Sequence, residues 1–304
     1  IRIDGGGSAN NITLEGIVTT DNASATAIEI VNATNATLNT VNASAGALAL
    51  GVDTKELTGT VSQLDVNSTI SAATLVGDAG VVTINKANID NLGQFTTSGA
   101  LTLVEQGGDN TGLKYTGSVT TGGTTWIETT DGIQNLDTQT LNATGQAITL
   151  KGVALSQQTA SSIKSTTADL YGGAGDIDLF STTNDFTGQV TVHSTGTQAS
   201  LQDANQLSMN SLTEVLAPTT SIKLHAGTSV SLTTEDLTTT TGDIEFKSWG
   251  GLLNTPGKLT TGSGDITLYS SETLSLAEKI LSDSGDVDVE AAIIASRAGA
   301  EDYI

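Results

Sequence analysis

A turn-plus-strand unit returns about every 22 residues between Gly175 and Glu290, and that return leaves few folds open to the chain. Four copies are plain: Gly175-Asp176-Ile177-Asp178-Leu179, Gly242-Asp243-Ile244-Glu245-Phe246, Gly264-Asp265-Ile266-Thr267-Leu268 and Gly285-Asp286-Val287-Asp288-Val289. Their glycines stand 67, 22 and 21 positions apart, and the long gap holds three steps of the period. Two further units, Ala199-Ser200-Leu201 and Ile222-Lys223-Leu224, fall where the period places them. One apolar column then reads Ile177, Ala199, Ile222, Ile244, Ile266, Val287; its partner reads Leu179, Leu201, Leu224, Phe246, Leu268, Val289. Apolar–polar–apolar order is strand alternation, and its regular return marks a repeat architecture.

Each period holds two more apolar series. Leu207 and Met209, Val230 and Leu232, Leu252, then Leu274 and Leu276 follow the first column by about eight to ten residues. Val190, Leu212, Leu237, Leu259 and Leu281 follow by about thirteen to fifteen. Three short strands with one apolar side each cannot bury that side alone. Stacked coil on coil at about 4.8 Å they close into one continuous core. The expected fold is therefore all-β: a right-handed parallel β-helix, a three-sided solenoid with about 20–23 residues per coil. The hand is carried over from parallel crossover connections in general.

Along the chain, residues 1–152 keep the alternation with a looser period. Ile12/Leu14, Ile28/Ile30, Leu48/Leu50, Val82/Ile84, Leu101/Leu103, Trp126 and Ile148/Leu150 read as one series of coils of unequal length. Residues 153–174, with their Ser/Gln/Thr run, read as an irregular coil or outward loop, and 175–290 as the regular solenoid. Residues 291–304 break the pattern and read as fraying or a short helix. The chain opens at Ile1 without Met or a signal peptide, which suggests a segment of something longer.

Of 304 residues, 33 are acidic and 11 are Lys or Arg, giving a formal net charge of −22. Such a surface argues against nucleic acid and anionic membranes as partners, and divalent cations are what it attracts. Aromatics make up 3%, which suits a narrow aliphatic core. There is no cysteine, and no apolar run is long enough to insert into a bilayer.

The segment Asn184-Asp185-Phe186-Thr187-Gly188-Gln189-Val190, followed by Ser200-Leu201-Gln202-Asp203-Ala204-Asn205-Gln206-Leu207, resembles the repeats of filamentous-haemagglutinin-like large exoproteins. The Gly-Asp-Ile units at 242–246 and 264–268 look like repeats of the same family. The resemblance implies a β-helical adhesin exported by two-partner secretion through an outer-membrane secretion partner, at the surface of a Gram-negative bacterium. It implies attachment or biofilm formation through a host or matrix glycan or protein receptor. No secretion-signal domain is recognisable, so the piece would be shaft, whose exposed edges invite self-association into fibres.

Several residues carry a chemical reading beside a plainer one. Asp243, Asp265 and Asp286 follow turn glycines in successive coils; they could hold calcium in a ladder, or each could cap its turn. Gly172-Gly173-Ala174-Gly175-Asp176-Ile177 superficially resembles a calcium nonapeptide, but Ile177 stands where that pattern needs Asp. Lys223 beside Glu245 reads as a cross-strand ion pair. No cluster of acids with Lys, Arg and aromatic residues is evident, which sets a polysaccharide-active enzyme or tailspike second to a non-catalytic role. His193 and His225 read as solvent-facing, and two His without Cys make no zinc site. Trp126, Trp249, Tyr171 and Tyr269 would form a sugar-stacking patch if they shared a face. Sequons begin at Asn11, Asn22, Asn32, Asn35, Asn42, Asn67 and Asn142, either by chance in an Asn- and Thr-rich chain or as glycosylation sites. The paired threonines 120–121, 124–125 and 238–241 read as turns without the common register an ice-binding array needs.

Overall fold

The computed structural model describes residues 1–304 apart from 53, 107–111, 131, 138, 211–218, 233–235, 256, 277 and 297–304. Strands alternate buried and exposed side chains and pair in parallel with strands about one coil away, forming a parallel β-solenoid. The chain divides into two units, Ile1–Gly152 and Val153–Ile304.

In the second unit, Ile177–Phe180, Gln198–Asp203, Ser221–Ala226, Ile244–Ser248, Ile266–Leu276 and Val287–Ser296 pair in succession. Ile177 lies opposite Ala199, then Ile222, Ile244, Ile266 and Val287, while Leu179, Leu201, Leu224, Phe246, Leu268 and Val289 align alongside. From Ile177 to Leu268 both columns are buried. Val287 is 36% exposed, because it belongs to the last described strand and no described strand stacks on its far side. A second side runs through Gln206–Met209, Ser229–Leu232, Leu253–Thr255 and residues 274–276. A third runs through Leu237–Thr239, Leu259–Thr261 and Ile280–Ser282.

Counting from the first column misplaces some inward residues. Leu253, not Leu252, is buried between Val230 and Leu274; Ile280, not Leu281, stacks under Leu259. The cause is corner length. Ala226 is followed by four steps to Val230, but Ser248 by five to Leu253, the extra residue lying in the Gly250-Gly251 turn. Val190 is registered with Met209 on the second side, not in the third series, and Leu212 lies outside the described residues. Residues 153–174 are no loop: Ala154–Gln157 and Ser162–Gly173 are strands with Leu155, Ile163, Ala168 and Leu170 buried. The pattern is hidden because small Ser161 and Ser165 also sit inside. Residues 291–296 are neither frayed nor helical but continue the strand Val287–Ser296, and 297–304 lie outside the described residues.

The first unit separates its loose series into distinct sides. Ile12, Ala36, Val61, Val82, Leu101, Thr125 and Ile148 form one column. Ile28, Leu48 and Leu75 belong to another, with Ile30 and Leu50 beside them. Trp126 is not inward: Thr125 and Ile127 are buried on either side of it, and it stands 42% exposed. The column holds because alternation, rather than identity, sets the face.

One corner requires glycine. A Cβ on Gly264 would collide with the carbonyl oxygen of Gly242, and one on Gly285 with that of Gly264. Successive turns therefore touch backbone to backbone, and this is what the recurring Gly-Asp pair encodes.

Candidate functional site

Outward positions on the first side of the second unit form two columns. One reads Asp178, Ser200, Lys223, Glu245, Thr267, Asp288; the other reads Phe180, Gln202, His225, Lys247, Tyr269, Glu290. Their middle rungs place side chains from distant sequence positions together. His225 Nε2 lies 2.9 Å from Glu245 Oε1, Lys247 Nζ lies 2.6 Å from the same oxygen, and Lys223 Nζ lies 3.9 Å from Oε2. Lys223 also sits 4.4 Å above the Phe180 ring. Phe180 meets His225 edge-on at 4.8 Å, and Trp249 packs against Tyr269 at 5.1 Å and His225 at 6.1 Å.

The sequence reading missed this cluster of acid, lysines and aromatics. Its members are spread over 90 positions and meet only through the register. Nor is His225 solvent-facing; it is 6% exposed beneath its neighbours. Trp249 and Tyr269 share the face, whereas Tyr171 stacks on His193 at 4.1 Å and Trp126 belongs to the first unit.

Burial holds the His225 imidazole below its ordinary pKa despite the adjoining Glu245 carboxylate. Burial pushes Glu245 up, but hydrogen bonds from Lys247 and His225 and the Lys223 charge outweigh it and leave the carboxyl below its usual range. Burial and the neighbouring Asp176 raise Asp178, partly offset by Lys223. Paired-carboxylate glycoside hydrolysis needs the two groups roughly 5–9.5 Å apart. In the Glu245 column, Asp288 is two rungs away and Asp178 three, about 10 and 14 Å at ~4.8 Å per rung. Asp178 lies outside that range and Asp288 at its upper edge, and the partners Glu245 meets directly are His225, Lys247 and Lys223. What the face offers is contact: an exposed indole and two ammonium groups on a braced base.

The aspartates after the turn glycines act between coils. Asp243 Oδ1 accepts the Asp265 backbone N–H at 2.9 Å, and Asp265 Oδ1 accepts that of Asp286 at 2.8 Å. Asp176 Oδ1 likewise accepts the backbone N–H groups of Thr197 and Gln198. Each carboxylate thus caps the next coil's turn rather than its own. Among the described residues no three His, Cys, Asp or Glu side chains converge as a metal site.

The residues behind the Asn-Asp-Phe and Asp-x-Asn text are structural too. Buried Asn184 accepts from the Ile163 N–H and donates to the carbonyls of Leu179 and Gln202, while exchanging hydrogen bonds with Gln157. Buried Asp203 accepts the N–H of Phe186 at 2.7 Å and of Asn205 at 2.6 Å. Burial raises its carboxyl to about 6 against these two bonds.

Of the sequon asparagines, Asn35 donates to Asn11 and Asn32 donates to Asp4, so their amides already bridge strands. Asn142 accepts from Thr144 within its own sequon. Asn22 and Asn67 are exposed, and Asn42 is half-buried in a strand. The paired threonines are largely in strands, with Thr121 and Thr125 buried and their hydroxyls 2.6 Å apart. Comparison with family models, with curated proteins and with solved structures finds no match to the chain.

Proposed function

We propose that the chain is a structural shaft segment of a secreted bacterial surface adhesin or extracellular matrix fibre, working by reach and display rather than catalysis. The observation that supports it most is the unbroken register of the apolar columns. Six strands from Ile177 to Val289 align without a slip in the two inward positions. These strands are joined by main-chain bonds and stacked aliphatic side chains, and Asp176, Asp243 and Asp265 each reach forward to the next coil. Such nearest-neighbour construction carries load and lengthens by adding repeats. Its outward positions carry polar, charged and aromatic side chains in turn, which suits display.

The resemblance to filamentous-haemagglutinin-like repeats gives the reading its biology: export through an outer-membrane partner and residence on a Gram-negative cell. The motif residues behind that resemblance hold coils together here, as they would in any shaft of this kind. A polysaccharide-active enzyme is less well supported, because the central acid of the aromatic face, Glu245, is paired with His225 and two lysines rather than with a second carboxylate.

Antibody labelling of intact cells of the source organism tests the proposal. Surface signal that disappears when the outer-membrane secretion partner is deleted is the expected result. Signal found only after cell lysis would overturn it.

A further inference from the structure

The first unit carries an outward column of its own. Thr13, Thr37, Ser62, Thr83, Thr102, Trp126 and Thr149 follow one another from rung to rung. Beside the later rungs runs a second column, Val104, Glu128, Lys151. One large aromatic therefore stands between two small hydroxyl residues at about 4.8 Å on either side. Small neighbours cannot cover an indole, and a depression of about 520 Å³ opens around it. Asn85, Thr102, Thr124, Thr149 and Glu128 supply its polar groups, and Val104 and Ala147 add apolar surface.

The indole is held in place. Trp126 Nε1 donates to Glu128 Oε2 at 3.2 Å, and Lys151 Nζ lies 2.7 Å from Glu128 Oε1. Trp126 is 42% exposed nonetheless, so the anchored ring still presents surface to a ligand. On the second unit Trp249, 50% exposed, packs against Tyr269 and His225. A fixed aromatic platform flanked by hydroxyls, an amide and a carboxylate is pre-organised for a ligand with one apolar face and a polar rim.

We propose that this depression binds a neutral β-linked pyranose chain. A pyranose with equatorial hydroxyls has such a shape: its C–H groups form a face that stacks on an indole, and its hydroxyls point sideways. Thr102, Thr149 and Asn85 exchange hydrogen bonds with those hydroxyls, and the remaining lone pairs of Glu128 accept from them. The chain's net charge of −22 and the Glu128 carboxylate within the site disfavour uronic or sulfated sugars. This site is independent of the proposed export and surface location.

Isothermal titration of the full chain with cellohexaose, chitohexaose and hexagalacturonate tests it. Saturable binding of at least one neutral hexamer is expected, weakened roughly tenfold or more by Trp126→Ala and less by Trp126→Phe. Thr37→Ala, in the same column but outside the depression, leaves binding unchanged. Circular dichroism of each variant shows whether the fold persists. Absence of binding by both neutral hexamers, wild-type affinity in a folded Trp126→Ala protein, or tighter binding of hexagalacturonate would each overturn the proposal.

Discussion

Single polar side chains tie the coils together at the corners. Asn184 has no exposed surface and joins strands from three successive coils, so truncating it orphans several buried groups at once. Asn184→Ala is expected to destabilise the second unit by about 3 kcal/mol, read as a lowered urea midpoint. Asp203 makes a pH prediction. Its folded pKa of about 6 lies above the unfolded value near 3.8, so the native state holds this proton more tightly. Its contribution is present below about pH 4 and is lost as pH rises through about 6, by roughly 3 kcal/mol at most. Urea midpoints of Asp203→Asn measured across that window should lack this downward trend. His225 acts in the opposite sense: its lowered pKa makes acidification below the ordinary imidazole range destabilising.

Strands and turns set the next scale. Ile244 is fully buried between Ile222 and Ile266, and Ile244→Ala should cost about 2–5 kcal/mol through the cavity it leaves. At the corner, Gly264→Ala drives a Cβ into the Gly242 carbonyl oxygen and must push two turns apart. Hydrogen exchange should then show lost protection around residues 242–266 while distant coils keep theirs, since each coil touches only its neighbours. Strand positions were legible wherever alternation was strong, as in the Gly-Asp-Ile units. They were misread where corners differ by one residue, as at Gly250-Gly251, and where serines take inward places, as at Ser161 and Ser165. A period specifies how often the chain returns, not how many residues each bend consumes.

At the scale of the repeat array, register decides what meets what. The apolar columns from Ile177 to Val289 could be read from the sequence because each position is aliphatic or nearly so. The aromatic face around Glu245 could not, because Phe180, His225, Trp249 and Tyr269 share no motif and occupy different coils. Trp126 was misassigned for the same reason: it carries the apolarity of an inward residue on an outward rung, and Thr125 holds the inward place. Removing residues 244–265 excises one full period and rejoins equivalent positions. That deletion should leave far-ultraviolet circular dichroism per residue nearly unchanged. Excising half as many residues would bring outward side chains under the core columns and abolish the cooperative transition.

The face around Glu245 is assembled from side chains of several coils, about twenty to ninety residues apart along the chain and stacked on neighbouring rungs. No linear fragment reproduces it. Antibodies raised against the folded surface should therefore recognise a discontinuous epitope, lose it on a denaturing blot, and go uncompeted by any short synthetic peptide from the sequence.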